Sequence, residues 1–152
     1  MATPFSLQPV MDLARNDADA AAVRLGKAMQ LLMDADRKLK MLIDYREEYR
    51  LKLHESVTTG IDSAGWRNFQ LFLAKLEAGI EAARGQAQSA RDAARRAQNE
   101  WEEQQRRLKA YGVLAERHER AEATRDARRE QRESDDRAAQ SFRRKAPAQR
   151  PR

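Results

Sequence analysis

The sequence predicts an all-α protein: an antiparallel two-helix coiled-coil hairpin with a C-terminal helical overhang and a basic disordered tail. Three observations carry this. Charged residues make up 36% and aromatics 6% of the 152 residues, with Ala, Arg, Glu, Gln, Leu and Lys abundant. That mixture favours long helices over a thick core. Two apolar stripes also run with alternating steps of three and four, the spacing of a coiled-coil seam. Finally, the two stripes mirror each other about a single point.

The first stripe defines a helix over about 5–58 and comprises Leu7, Met11, Ala14, Ala18, Ala21, Leu25, Ala28, Leu32, Ala35, Leu39, Leu42, Arg46, Tyr49 and Leu53. Only Arg46 interrupts it. A turn is expected over 59–62, because Val57, Thr58 and Thr59 are weaker helix formers and Gly60 can take the left-handed conformation that ends a helix. Asp62 or Ser63 can cap the next helix by accepting a hydrogen bond from a first-turn amide. The second helix, about 63–142, carries Trp66, Phe69, Leu73, Leu76, Ile80, Ala83, Ala87, Ala90, Ala94, Ala97, Trp101, Gln104, Leu108, Tyr111 and Ala115. Gln104 is its polar interruption. Residues 1–142 thus read as one coiled-coil domain.

Paired across an antiparallel hairpin, seam positions have numbers that sum to 122, as in Leu53 with Phe69, Leu39 with Ala83, Leu32 with Ala90 and Leu7 with Ala115. The midpoint is Ile61, inside the expected turn. Large residues often meet small ones in this register, as Trp101 meets Ala21. Ala28 faces Ala94 and Ala35 faces Ala87, which predicts close helix axes, near the lower end of the usual range of about 8 to 10 Å. A dimer of hairpins or a parallel homodimer would use the same stripes. The parallel form would leave Gly60 inside a continuous helix, unfavourable by about 1 kcal/mol.

In that register residues past about 121 have no partner. The stretch from Ala121 to Phe142 is a charged helical overhang whose ion pairs contribute only tenths of a kcal/mol each. Residues 143–152 hold five basic groups, no acids and two prolines. A disordered tail is expected, either simply solvated or able to attract phosphate polyanions and acidic protein surfaces.

Little in the chain resembles catalytic machinery. With no cysteine, disulfides, thiol catalysis and cysteine-ligated zinc are excluded. His54 and His118 have no neighbouring metal-ligand pattern, and no phosphate-cradling glycine loop, nucleophile elbow or convergent acid pair is visible. No enzyme activity, catalytic residue, metal or cofactor is expected. Met1 to Val10 lacks a leader-like pattern, and no run of about 18 apolar residues occurs. A soluble cytoplasmic protein is the expectation.

The functional signal lies beside the seam near the turn, where Met41, Ile43, Tyr45, Leu51, Leu71 and Phe72 are apolar. In the register Tyr45 is level with position 77 and Phe72 with position 50. These residues either widen the core or form a docking patch, as exposed aromatic clusters do.

The string Lys38-Leu39-Lys40-Met41-Leu42-Ile43-Asp44-Tyr45-Arg46-Glu47-Glu48-Tyr49-Arg50, followed by Gly60-Ile61, Trp66, Phe69-Gln70, Phe72 and Leu76-Glu77, resembles the flagellar FliJ family. The likeness is concentrated in residues 38–80 and extends more weakly along the rest. It implies a coiled coil similar to the gamma stalk of rotary ATPases, peripheral to the inner-membrane flagellar type III export apparatus. The implied partners are the export ATPase FliI with FliH, the export gate protein FlhA, and export chaperones. The family's gate-binding surface corresponds to Leu42, Tyr45, Tyr49, Phe72 and Leu76, and reaches positions held here by Lys38, Gly79 and Ala83, which differ in type from the family pattern. Direct membrane insertion and nucleic-acid binding are not expected. An unrelated coiled-coil adaptor, or less favourably a nucleic-acid-binding protein acting through the basic end, would be the alternatives.

Overall fold

Strong helix formers spaced at threes and fours give the backbone few competing conformations. The computed structural model, which describes residues 7–145, accordingly contains two helices, α1 (Gln8–Thr59) and α2 (Ser63–Lys145), and no strand among the described residues. The expected all-α antiparallel hairpin is present.

The turn works as a stop followed by a start. The Thr58 and Thr59 hydroxyls donate to the carbonyls of His54 and Glu55 at 2.8 and 3.0 Å. Gly60 then reverses the chain with a φ of 101°, the only positive φ among the described residues. Of the two candidate caps, Asp62 takes the role: its Oδ1 accepts from the Gly65 amide at 2.7 Å, while its carbonyl accepts from Trp66 N at 3.0 Å. This arrangement places a carboxylate at the positive end of α2. Gly65 is needed for it, since a Cβ there would lie 2.9 Å from both Asp62 Oδ1 and Ile61 Cγ1.

Contacts group the chain into two compact units. Within Arg15–Gln105 the helices are antiparallel: Arg24 pairs with Glu100, Asp36 with Arg91, Arg46 with Glu77, and the Tyr49 ring packs against Phe72. The pairs Arg46–Glu77 and Tyr49–Phe72 miss the constant sum of 122 by one residue in opposite directions. Ala18, Ala21, Leu76, Ile80, Ala83, Ala87 and Ala94 are buried, all on the expected seam. Most remaining seam residues are half-buried, because two helices cannot enclose a side chain on every side. Trp66 departs from its seam role at 44% exposure; the register sets Ser56 opposite it, which is too small to cover an indole.

The polar seam positions have a cost. Arg46 Nε and Gln104 Oε1 are both buried without a hydrogen-bond partner. Arg46 Nε does lie 3.4 Å from Glu47 Oε1 as an ion pair, without the alignment of a hydrogen bond.

The other unit comprises residues 7–14 with 106–145. Ala14 is buried, and Leu7, Met11, Leu108, Tyr111, Ala115 and His118 are half-buried. From 123 to 145 every residue is exposed. α2 outlasts its expected end at 142, so Arg143, Arg144 and Lys145 form its last turn. There the three cations complement the negative end of the helix dipole. The rest of the expected tail lies outside the described residues, as do positions 5 and 6 of the expected first helix.

Candidate protein-docking site

The site is built from two short helical spacings. Tyr45 and Tyr49 stand four apart on α1, and Phe69 and Phe72 stand three apart on α2, so each pair projects from one side of its helix. The antiparallel register brings the pairs together as a continuous row. Tyr49 is central: its ring centroid is 4.4 Å from Phe72 and 5.1 Å from Phe69, both tilted. Tyr45 meets Phe72 edge-on, at 6.1 Å and 78°, a geometry that suits the ring quadrupoles.

Exposure separates the five expected contact residues. Tyr45 is 46% and Phe72 37% exposed, Leu42 and Tyr49 are half-buried, and Leu76 is 8% exposed. A partner would therefore meet Tyr45 and Phe72 directly and Tyr49 along its edge. Leu76 is too deeply buried to be met directly. Burial pushes the Tyr49 phenol above its ordinary pKa of 10.0, and the neighbouring Tyr45 adds to the effect. Tyr49 therefore stays a neutral hydroxyl, able to donate or accept a hydrogen bond at the edge of an apolar surface.

Met41, 64% exposed, extends the row along α1. Together with Tyr45 it lines a shallow open groove whose other walls are Arg37, Lys40, Asp44 and Glu48. The groove thus has an apolar floor and mixed charge at its rim, the usual anatomy of a protein contact.

The six off-seam apolar residues do not form one patch. Tyr45 touches Phe72, and Met41 shares its flank, but by helical phase Ile43 lies on the opposite flank and Leu51 and Leu71 face away from the partner helix. The opposite flank is polar. Glu77 Oε2 accepts from Arg46 Nη1 at 3.1 Å and Glu77 Oε1 from Arg50 Nη2 at 3.0 Å, while Arg50 Nη1 donates to Glu47 at 3.2 Å. Sequence reasoning missed this network. Its signal was present in Arg46, the one break in the first stripe, and in Glu77, which the register sets near it. Phe69 was likewise read as a seam and motif residue and not as part of the contact row.

Among the described residues no group of His, Asp or Glu is arranged to hold a metal ion, and no charged residue is buried. No helix among them is long and apolar enough to cross a membrane.

Comparisons with known proteins point one way. The profile of the family described as Flagellar FliJ protein matches residues 3–147. The Flagellar FliJ protein of Escherichia coli strain K12 is 35% identical over 145 residues, covering 95% of this chain and 99% of that one. Its Salmonella typhi counterpart matches equally, at 35% over 145 residues. A solved chain from Chlamydia trachomatis, described as a YscO homologue, superposes with a TM-score of 0.64 over 95% of this chain and all of that one. At 17% identity it speaks for the fold alone.

Proposed function

This chain belongs to the flagellar FliJ family, and from that membership we propose that it is a non-enzymatic component of flagellar type III protein export, a stalk-like hairpin that serves both the export ATPase and the export gate. The aromatic row carries this reading. The helical pair presents Tyr45 and Phe72 in edge contact, with Tyr49 packed against Phe72 and Phe69 behind them, and such aromatic anchors dominate the energetics of protein contacts. The gate protein FlhA is the partner assigned to this row, with Leu42 and Leu76 holding it in place.

The unit of residues 7–14 and 106–145 is assigned to the ATPase FliI, with its associated FliH. Leu7, Met11 and Tyr111 give it a half-buried apolar strip, and its helix continues as a charged extension suited to a polar cavity or rim. Helping the ATPase assemble as a ring, and escorting or recycling export chaperones, complete the role. The site of action is the cytoplasmic face of the inner membrane, reached by protein contacts.

The decisive experiment measures binding of the purified chain to the FlhA cytoplasmic domain by calorimetry, with Tyr45→Ala/Phe72→Ala as the variant. Each truncated aromatic at a contact centre costs about 1 to 2 kcal/mol, so affinity should fall about 30-fold or more with far-ultraviolet dichroism unchanged. Undiminished binding would remove the row from the gate contact. Ring assembly of FliI, followed by electron microscopy with and without the chain, tests the ATPase assignment separately.

A further inference from the structure

The heptad spacing of α2 continues beyond the residues that pack on α1. In the unit of residues 7–14 and 106–145, Leu108, Tyr111, Ala115 and His118 are half-buried. Continued at steps of four and three, the same spacing reaches Glu122, Arg125, Arg129 and Arg132. The face changes from apolar to guanidinium where packing ends. Arg128, one turn from Arg125 and Arg132, joins them, and these four arginines alone line an open groove.

Arg125 lies 3.7 Å from Glu122. Among the described residues Arg128, Arg129 and Arg132 make no side-chain ion pair or hydrogen bond. Acids are available on the same turns, but Asp126, Glu130 and Glu133 sit on the neighbouring face. Clustered guanidiniums at helical spacing repel by about 0.2 to 0.5 kcal/mol per pair. This helix has no apolar contact to offset that repulsion, since every residue from 123 to 145 is exposed. A bound carboxylate group would reverse the sign, because guanidinium forks engage carboxylates through paired, charge-assisted hydrogen bonds.

We propose that Arg125, Arg128, Arg129 and Arg132 form a docking face for an acidic helical segment of a partner protein, lying along the continuation of the seam. Seven residues of α2 rise about 10 Å, so carboxylates at matching helical spacing on one partner helix meet all four arginines. Residues 1–6 contain no acid and cannot supply the counter-charge. A second copy is disfavoured by the chain's own net charge of +6. A continuous polyanion such as duplex DNA would run into Asp126, Glu130, Glu133, Asp135 and Asp136 around the face, whereas a protein segment can set its own cations against them.

The test uses the full chain and a fluorescein-labelled helical peptide with four glutamates spaced as the arginines are, read by anisotropy. A peptide of the same composition with scrambled spacing, duplex DNA and phosphatidylserine vesicles are the comparison arms. The spaced peptide should bind at least about fivefold more tightly than the scrambled one. R128E/R129E/R132E should weaken it about tenfold or more, with R128Q/R129Q/R132Q intermediate. R143E/R144E/K145E, which removes equal charge elsewhere on the helix, should change affinity less than about threefold. The R128E/R129E/R132E chain should in turn gain binding to a lysine version of the peptide. Equal losses in both reversed triples, or DNA or vesicles binding as tightly as the spaced peptide, would overturn the proposal in favour of undirected charge.

Discussion

Arg46 and Glu77 offer the sharpest test of how the hairpin is held in register. Arg46 is the one charged residue in the first seam, with its side chain 17% exposed, and Glu77, at 38%, receives hydrogen bonds from both Arg46 and Arg50. Glu77→Ala removes the only hydrogen-bonded partner of Arg46 Nη1 among the described residues and leaves the half-buried guanidinium with the looser ion pair to Glu47. A charge-assisted hydrogen bond contributes about 1.5 to 3 kcal/mol when well shielded. Exposure of Glu77 cuts that by about half, and the Arg50 pair, at 48% and 38% exposure, adds only a few tenths. The expected loss is about 1 to 2 kcal/mol. Arg46→Leu acts in the opposite sense, because it removes the buried unbonded Nε and completes the apolar stripe, while Glu77 keeps Arg50. Replacing a partly buried charge by a packed apolar side chain is often neutral or stabilising, so this variant should lie within about 1 kcal/mol of the parent or above it. Urea unfolding followed at 222 nm measures both, and the double variant should show Glu77→Ala costing less once Arg46 is gone. If Arg46→Leu proves more destabilising than Glu77→Ala, the pair is a net source of stability and the desolvation reasoning fails.

Trp101→Ala should lower stability by about 2 to 4 kcal/mol, since the register sets the half-buried indole opposite Ala21, which is 1% exposed, and a methyl leaves a cavity there; an unchanged thermal melt would contradict the register. Glycines in α2 should divide by position. Gly85→Ala, with nothing within 4 Å of the added Cβ, should stabilise by about 1 kcal/mol through helix propensity. Gly65→Ala should lose that gain, because its Cβ collides with Asp62 and Ile61 and disturbs a cap of about the same magnitude; equal stabilisation by both variants in thermal melts would refute the steric argument. The raised Tyr49 pKa favours the protonated folded chain. Its contribution is therefore complete below the ordinary value of 10.0 and declines as pH rises from there through the folded-state pKa. Urea midpoints measured from pH 9 upward should fall less steeply in Tyr49→Phe than in the parent, and identical slopes would count against the burial of that phenol.

The aromatic site was partly legible. Tyr45 and Phe72 stood beside the seam in the heptad count, and the register set them near the turn, which was enough to nominate them. Level along the axis does not decide flank, however. The count set Tyr45 level with Glu77 and Phe72 level with Arg50, yet Tyr45 meets Phe72 and Arg50 meets Glu77. Pairing runs diagonally because each helix turns its side chains to one flank or the other, so the apolar and charged groups sort onto opposite sides. Leu76 shows the same point by depth: family likeness nominated it for a contact surface, and its place in the core leaves it 8% exposed.

Spacing alone determined that this chain makes two helices, that they reverse at Gly60, and that the pairs run about a constant sum. Two heptad stripes on one chain bury each other once the chain reverses between them, and glycine takes the reversed φ without strain. The tertiary structure decided what depends on contact: Asp62 rather than Ser63 as the cap, the need for glycine at 65, the exposure of Trp66, and a network tying Arg46 and Arg50 to Glu77. Those outcomes rest on distances of a few ångströms, within one turn for the cap and Gly65 and across the hairpin for the Arg46–Arg50–Glu77 network. Periodicity encodes direction around a helix, but it carries no information about which atoms the facing helix will present.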